Sequence, residues 1–126
     1  MQLLQENRLE ELDYDSIFQM LFEMSRSEKN SIEGLSRIIV MHLLKWVYQP
    51  EKRTRSWRTT ILSHRYSLLS ILEDSKILGK YLQDHLEKIY SRAKRLASSE
   101  TEIPEENFPT RCPFTVDQIL DDEFFG

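Results

Sequence analysis

An all-α fold, an antiparallel helical bundle, is what the sequence predicts, and three observations predict it. Apolar residues recur every three or four positions over long stretches, the spacing of one helix face. Glycine and proline, which tight β turns need, number only three and four in 126 residues. Three of the four prolines, Pro104, Pro109 and Pro113, lie together near the end, outside the periodic segments. With 40% apolar and 30% charged residues the chain has the composition of an ordinary folded domain. One domain over 1–126 is expected, and a chain of this length buries roughly two thirds of its unfolded surface.

Residues 1–12 read as a short N-terminal helix and connector, with Leu3, Leu4 and Leu9 available to dock it and Asp13 available to cap the next helix. From about 14 to 48 a stripe runs through Ile17, Leu21, Met24, Ile32, Leu35, Ile39, His42 and Trp46. One continuous helix there is ~52 Å long at 1.5 Å per residue. Ser25, Ser27, Asn30, Ser31 and Gly34 mark where it is weakest. Gln49-Pro50 ends it, because proline lacks the amide donor and disfavours helical geometry at the residue before. Ser56 is the expected cap of a helix over about 56–73, with stripe Trp57, Ile61, His64, Leu68, Ile71 and Leu72. Glu73 to Gly79 reads as a connector. The next helix, about 80–98, carries Leu82, His85, Ile89, Ala93 and Leu96. Residues 100–126 read as an extended proline-rich tail lying on the bundle. Thr115 and Gln118, at capping-box spacing, start a short terminal helix to about Leu120. Phe124 and Phe125 are expected to tack onto the body.

Charge is segregated along the chain. Residues 37–65 carry seven Lys/Arg against one acid, and residues 100–126 carry one against eight. Either these segments lie against each other in the fold, or the basic stretch meets an outside anion. Met1 opens a polar stretch without a secretory apolar region, and no apolar run reaches the ~18 residues of a membrane helix. The lone Cys112 excludes an internal disulfide and a cysteine-based zinc finger. A cytoplasmic location, with no membrane contact, is expected.

Four places invite a functional reading. At the corner around Pro50, Lys45, Lys52, Arg53, Arg55 and Arg58 interleave with Trp46, Tyr48 and Trp57. Guanidinium forks suit phosphate or carboxylate, and aromatic rings can stack on bases, so the corner is a candidate anion-, partner- or nucleic-acid-binding surface. The structural alternative is that the tryptophans are core and the arginines meet the acidic tail. His42, His64 and His85 each fall on the stripe of a different helix. Three imidazoles with one open position are a catalytic zinc or iron set, but His85, near the start of its helix, belongs to the opposite end of the bundle from His42. That leaves His42 and His64 as the weak metal candidates, against hydrogen-bonded, half-buried histidines. The helix around Ile17, Phe18, Met20, Leu21, Phe22 and Met24 is apolar on almost every side and needs cover all round, which suits a homodimer. Cys112 has a neighbouring arginine but no positioned base, and reads as structural. There is no nucleophile elbow and no phosphate-cradling glycine loop. The residues thus imply no catalytic group and no cofactor.

The run His42-Leu43-Leu44-Lys45-Trp46-x-Tyr48-Gln49-Pro50-Glu51-x-Arg53-x-Arg55-Ser56-Trp57 strongly resembles the Domain of Unknown Function 29 family, found mainly in cyanobacteria. The likeness extends to Leu12-Asp13, Ser27-Glu28, Asp74-Ser75, Tyr81-Leu82, Glu100-Thr101, Phe108-Pro109, Cys112-Pro113 and Asp122-Glu123-Phe124, about residues 9 to 125. The resemblance implies a helical bundle and no assigned activity. Where the family tends to have a run of glutamates, this chain has Gln19, Met20 and Phe22, and its N-terminal segment is shorter. Of the histidines only His42 lies in the recurring motif. The expected function is a non-enzymatic interaction or scaffold module that self-associates and binds an unknown protein. Anion or nucleic-acid binding through Lys52 to Arg58 is the alternative, and a metal-dependent enzyme around His42 and His64 the second.

Overall fold

Burial along the described chain repeats every three or four residues, and α-helices result from it wherever proline is absent. A computed structural model describes residues 26–73 and 76–126. The expected helix over 1–12, the start of the long helix from 14 and the apolar surface at Ile17 to Met24 lie outside these residues. By its contacts the chain divides into Met1–Asn30 and Ser31–Gly126, and the buried core among the described residues lies in the second. The described residues contain helices and turns and no strand.

Helix α1 is seen from 26 to 48. Asn30, Ser31 and Gly34 sit within it without a break, so intrinsic propensity is overridden by the apolar face. That face is centred on Ile32, Ser36, Ile39 and Leu43, with Val40 and Leu44 beside them. Leu35, His42 and Trp46, expected at its centre, are its half-buried flank.

Helix α1 ends at the proline. Gln49 N–H still bonds Lys45 O at 2.8 Å, and Pro50–Lys52 then form a single 3-10 turn. Helix α2 spans Arg55–Glu73. Its cap is Thr54, whose Oγ1 accepts the Trp57 amide at 3.1 Å. Ser56, expected in that role, is already inside the first turn, because the 3-10 turn ends early enough to leave Thr54 at the cap position. Helix α2 buries Ile61, Arg65 and Leu68.

The helix expected over 80–98 is two helices, α3 at Lys76–Asp84 and α4 at Leu86–Thr101. Gly79 is inside α3 rather than in a connector. The division falls at His85, whose φ −108 and ψ 9 leave the helical region. The buried residues are Leu78 and Leu82 before it and Leu86, Ile89, Tyr90, Ala93 and Ala97 after it, so that Leu86 and Ala97 stand one position on from the expected His85 and Leu96. Leu96, expected inside, is 41% exposed. Helix α4 closes with Glu102 in the left-handed region at φ 63, its amide on Ser98 O.

Two ion pairs fix the register of α1 and α4. Glu33 meets Lys88 at 3.4 Å, and Lys45 meets Glu100 at 3.1 Å. Both pairs are 55 residues apart in sequence, so the two helices run parallel. With the reversal at Pro50 between them, α2 runs the other way, as an antiparallel bundle requires.

The tail is ordered by its apolar residues. Phe108, Phe114 and Ile119 are buried in the same core as the helices. Tyr90 Oη donates to Pro109 O, pinning the proline-rich run to α4. Helix α5, Val116–Leu120, starts from Thr115, whose Oγ1 accepts the Gln118 amide while Gln118 Oε1 accepts the Thr115 amide. It packs on α2.

Candidate functional site

The corner between α1 and α2 uses its cations in two ways. Three of them make contacts within the chain. Lys45 is largely buried; its ammonium pairs with Glu100 and lies 4.5 Å from the Trp57 ring centroid. Arg53 Nε donates to Trp46 O at 2.7 Å, satisfying one of the carbonyls that α1 leaves open at its end. Its guanidinium also lies 5.0 Å from the Trp46 ring. Arg58 is exposed but lies 5.1 Å from the ring of Phe125. The remaining two, Lys52 and Arg55, are exposed and make no ion pair among the described residues.

The aromatic residues divide in the same manner. Trp46 packs against Phe125 at 5.3 Å, in addition to Arg53, and Trp57 lies under Lys45. Tyr48 meets Phe108 edge-on at 4.9 Å yet keeps 37% of its surface exposed. Val47, beside it, is 38% exposed. The exposed surface of the corner thus includes Val47 and Tyr48 as an apolar pair, with Lys52 and Arg55 and one acid, Glu51, among the polar residues around it.

The histidines do not converge as three. By the α1–α4 register His42 is level with Ala97, twelve residues from His85, or about 18 Å along the helix. His85 instead stacks on Tyr81 at 4.0 Å. His42 and His64 lie close enough for the charge of one to act on the other, with Lys45 and Glu100 also in range. Burial holds the His42 pKa below its ordinary 6.5, against the opposing pull of the Ile38 carbonyl. Each imidazole donates from Nδ1 to the carbonyl four residues back, His42 to Ile38 and His64 to Thr60, which leaves Nε2 as the acceptor. No group of three or more His, Cys, Asp or Glu among the described residues is placed to hold a metal ion. Burial pushes the Cys112 thiol up to about 11, and its Sγ donates to Phe114 O at 3.3 Å. The neighbouring Arg111 does not make it a thiolate.

The family described as domain of unknown function DUF29 matches residues 1–125. The chain belongs to that family. No curated protein and no solved structure matches it. In this DUF29 chain the long motif of 42–57 is the corner itself: the last turns of α1, the 3-10 turn, the Thr54 cap and the first turn of α2. Among the described residues no helix is long and apolar enough to cross a membrane.

The residue that sequence reasoning missed is Arg65. It has no exposed surface. Its Nε donates to Ile119 O at 2.7 Å and its Nη2 to Gln118 O at 3.2 Å, so one guanidinium fastens the last turn of α5. Phe125 covers it at 5.4 Å. Burial lowers its pKa while Asp121 and Asp122 raise it again. The signal was present: Arg65 stands four after Ile61 and three before Leu68, a cation on an apolar stripe.

Proposed function

We propose that this DUF29 chain is a non-enzymatic interaction module that acts as one helical unit, binding a protein partner through the corner and associating with a second copy. The observation that carries the reading is the outward surface of the corner. Val47 and Tyr48 keep more than a third of their surface exposed beside Lys52 and Arg55, which have no acidic partner among the described residues. An apolar pair beside unpaired cations suits a protein surface carrying acids around an apolar group. A cytoplasmic setting goes with the reading.

The test compares immobilised wild-type chain with Lys52→Glu/Arg55→Glu in native lysate. Arg53 stays untouched because it holds the corner together. Proteins retained by the wild type and lost from the variant support the reading; equal retention by both contradicts it. Sedimentation at micromolar concentration tests the second copy, for which the all-round apolar run Ile17 to Met24 is the sequence argument. A dimer is expected, and a monomer would remove that part.

Nucleic-acid binding has less support, since both indole rings are already covered, Trp46 by Arg53 and Phe125 and Trp57 by Lys45. A metal-dependent reaction at His42 and His64 lacks a third donor among the described residues.

A further inference from the structure

Phe125, in the segment 121–126, seats on the inner side of the same corner. The ring of Phe125 lies against Trp46 and is flanked by the guanidinium groups of Arg58 and Arg65, at 5.3, 5.1 and 5.4 Å between centres. Gly126 comes next in a left-handed conformation at φ 120, and a Cβ there would collide with Val47 Cγ2. The segment carries Asp121, Asp122 and Glu123, all exposed, in front of the aromatic pair. So an acidic–aromatic stretch of the chain sets one ring against Trp46 between two guanidinium groups, with Asp121 and Asp122 near enough to act on the charge of Arg65.

The fit is incomplete. Arg65 is fully buried, yet its Nη1 has no hydrogen-bond partner among the described residues. A guanidinium has five donors in a fixed fork, and leaving one buried and unpaired is unfavourable. Nor does the segment 122–126 have a helix of its own, since α5 ends at Leu120. It is held by Phe125 at the corner, by Phe124 edge-on to the core ring of Phe114 at 5.9 Å and by Gly126 beside Val47. Its hydrogen bonds among the described residues are local turns, so its release uncovers one face of Phe114 and breaks no hydrogen bond to another helix.

We infer that the Trp46–Arg58–Arg65 pocket is a binding site for an acidic peptide with a phenylalanine, filled in this chain by its own residues 121–126 as a tethered competitor. The inference rests on the reading of the corner as an interaction surface and names the chemistry of its occupant. A partner peptide that places a carboxylate beside its aromatic ring gains what the chain's own segment lacks, a counterpart for the unpaired nitrogen of Arg65. Removing the competitor raises the fraction of molecules able to bind, and the apparent affinity rises in proportion.

The probe is a fluorescent peptide with the sequence of residues 121–126, tracked by polarisation. The proteins are full-length wild type, Phe125→Ala, which empties the pocket, and Gly126→Ala, whose Cβ collides with Val47 and dislodges the segment while leaving every core side chain in place. Both variants are expected to bind the peptide at least about tenfold more tightly than wild type. Adding Arg58→Glu, or replacing both phenylalanines of the peptide by alanine, is expected to abolish the gain. Gly126→Ala with wild-type helicity and no gain would overturn the proposal, as would a gain insensitive to Arg58→Glu. Dimers of either variant that excess peptide does not dissociate would also overturn it, assigning the opened pocket to a second copy. Lysate capture that depends on Lys52 and Arg55, with no peptide gain, would leave the interaction reading standing and remove the peptide alone.

Discussion

At the scale of single residues, burial acts on the charge of Arg65 and of His42. Arg65 replaces water with two backbone carbonyls of α5 and the face of Phe125. Hydrogen bonds from a charged group are each worth roughly 1.5–3 kcal/mol, so Arg65→Ala is expected to cost about 2–4 kcal/mol in urea unfolding. A loss below roughly 0.5 kcal/mol, on the order of a surface substitution, would contradict that placement. His42 adds a pH dependence. Its folded pKa lies below the ordinary 6.5 because burial disfavours the cation. Between the two values the unfolded chain binds more protons than the folded one, so stability rises with pH. Unfolding temperature should therefore fall as pH drops below 6.5, and fall less in His42→Asn. An equal slope in both proteins would assign the effect elsewhere.

At the scale of elements, α5 shows how a five-residue helix persists. Alone it is far too short to be stable in water. Its capping box satisfies the first amides, the Arg65 fork satisfies carbonyls of the last turn, and Ile119 is buried between. Thr115→Ala is expected to cost about 1 kcal/mol, the usual loss for a cap. The cap and the fork hold opposite ends of one short element. Thr115→Ala and Arg65→Ala should therefore couple in a double-mutant cycle by about 0.5 kcal/mol or more, and strict additivity would mean that the two act on α5 independently. The capping box was legible in sequence because Thr115 and Gln118 signal it locally. The division at His85 was not, because a 3–4 spacing continues across it with a histidine in step. Gly79 signals a turn on the same local grounds, yet the buried face of α3 overrides its propensity.

Over the molecule as a whole, segregated charge becomes contact between distant segments. The basic middle does meet the acidic end, through Lys45 with Glu100 and through the field of Asp121 and Asp122 on Arg65. It does so by one ion pair and several ring contacts, not by a ladder of salt bridges. The helical class, the proline corner and the terminal helix were legible because apolar period and proline act locally. Which of the corner's cations are engaged within the fold was not legible, since Lys45 and Arg53 differ from Lys52 and Arg55 only in what the fold brings to them. The tail is thus the piece that decides what the corner presents. Hydrogen–deuterium exchange on wild type and Phe125→Ala tests this most directly. Faster exchange confined to residues 44–49 and 116–125 is the predicted result, with α4 unchanged. Exchange that is unaltered at the corner, or raised throughout the bundle, would contradict it.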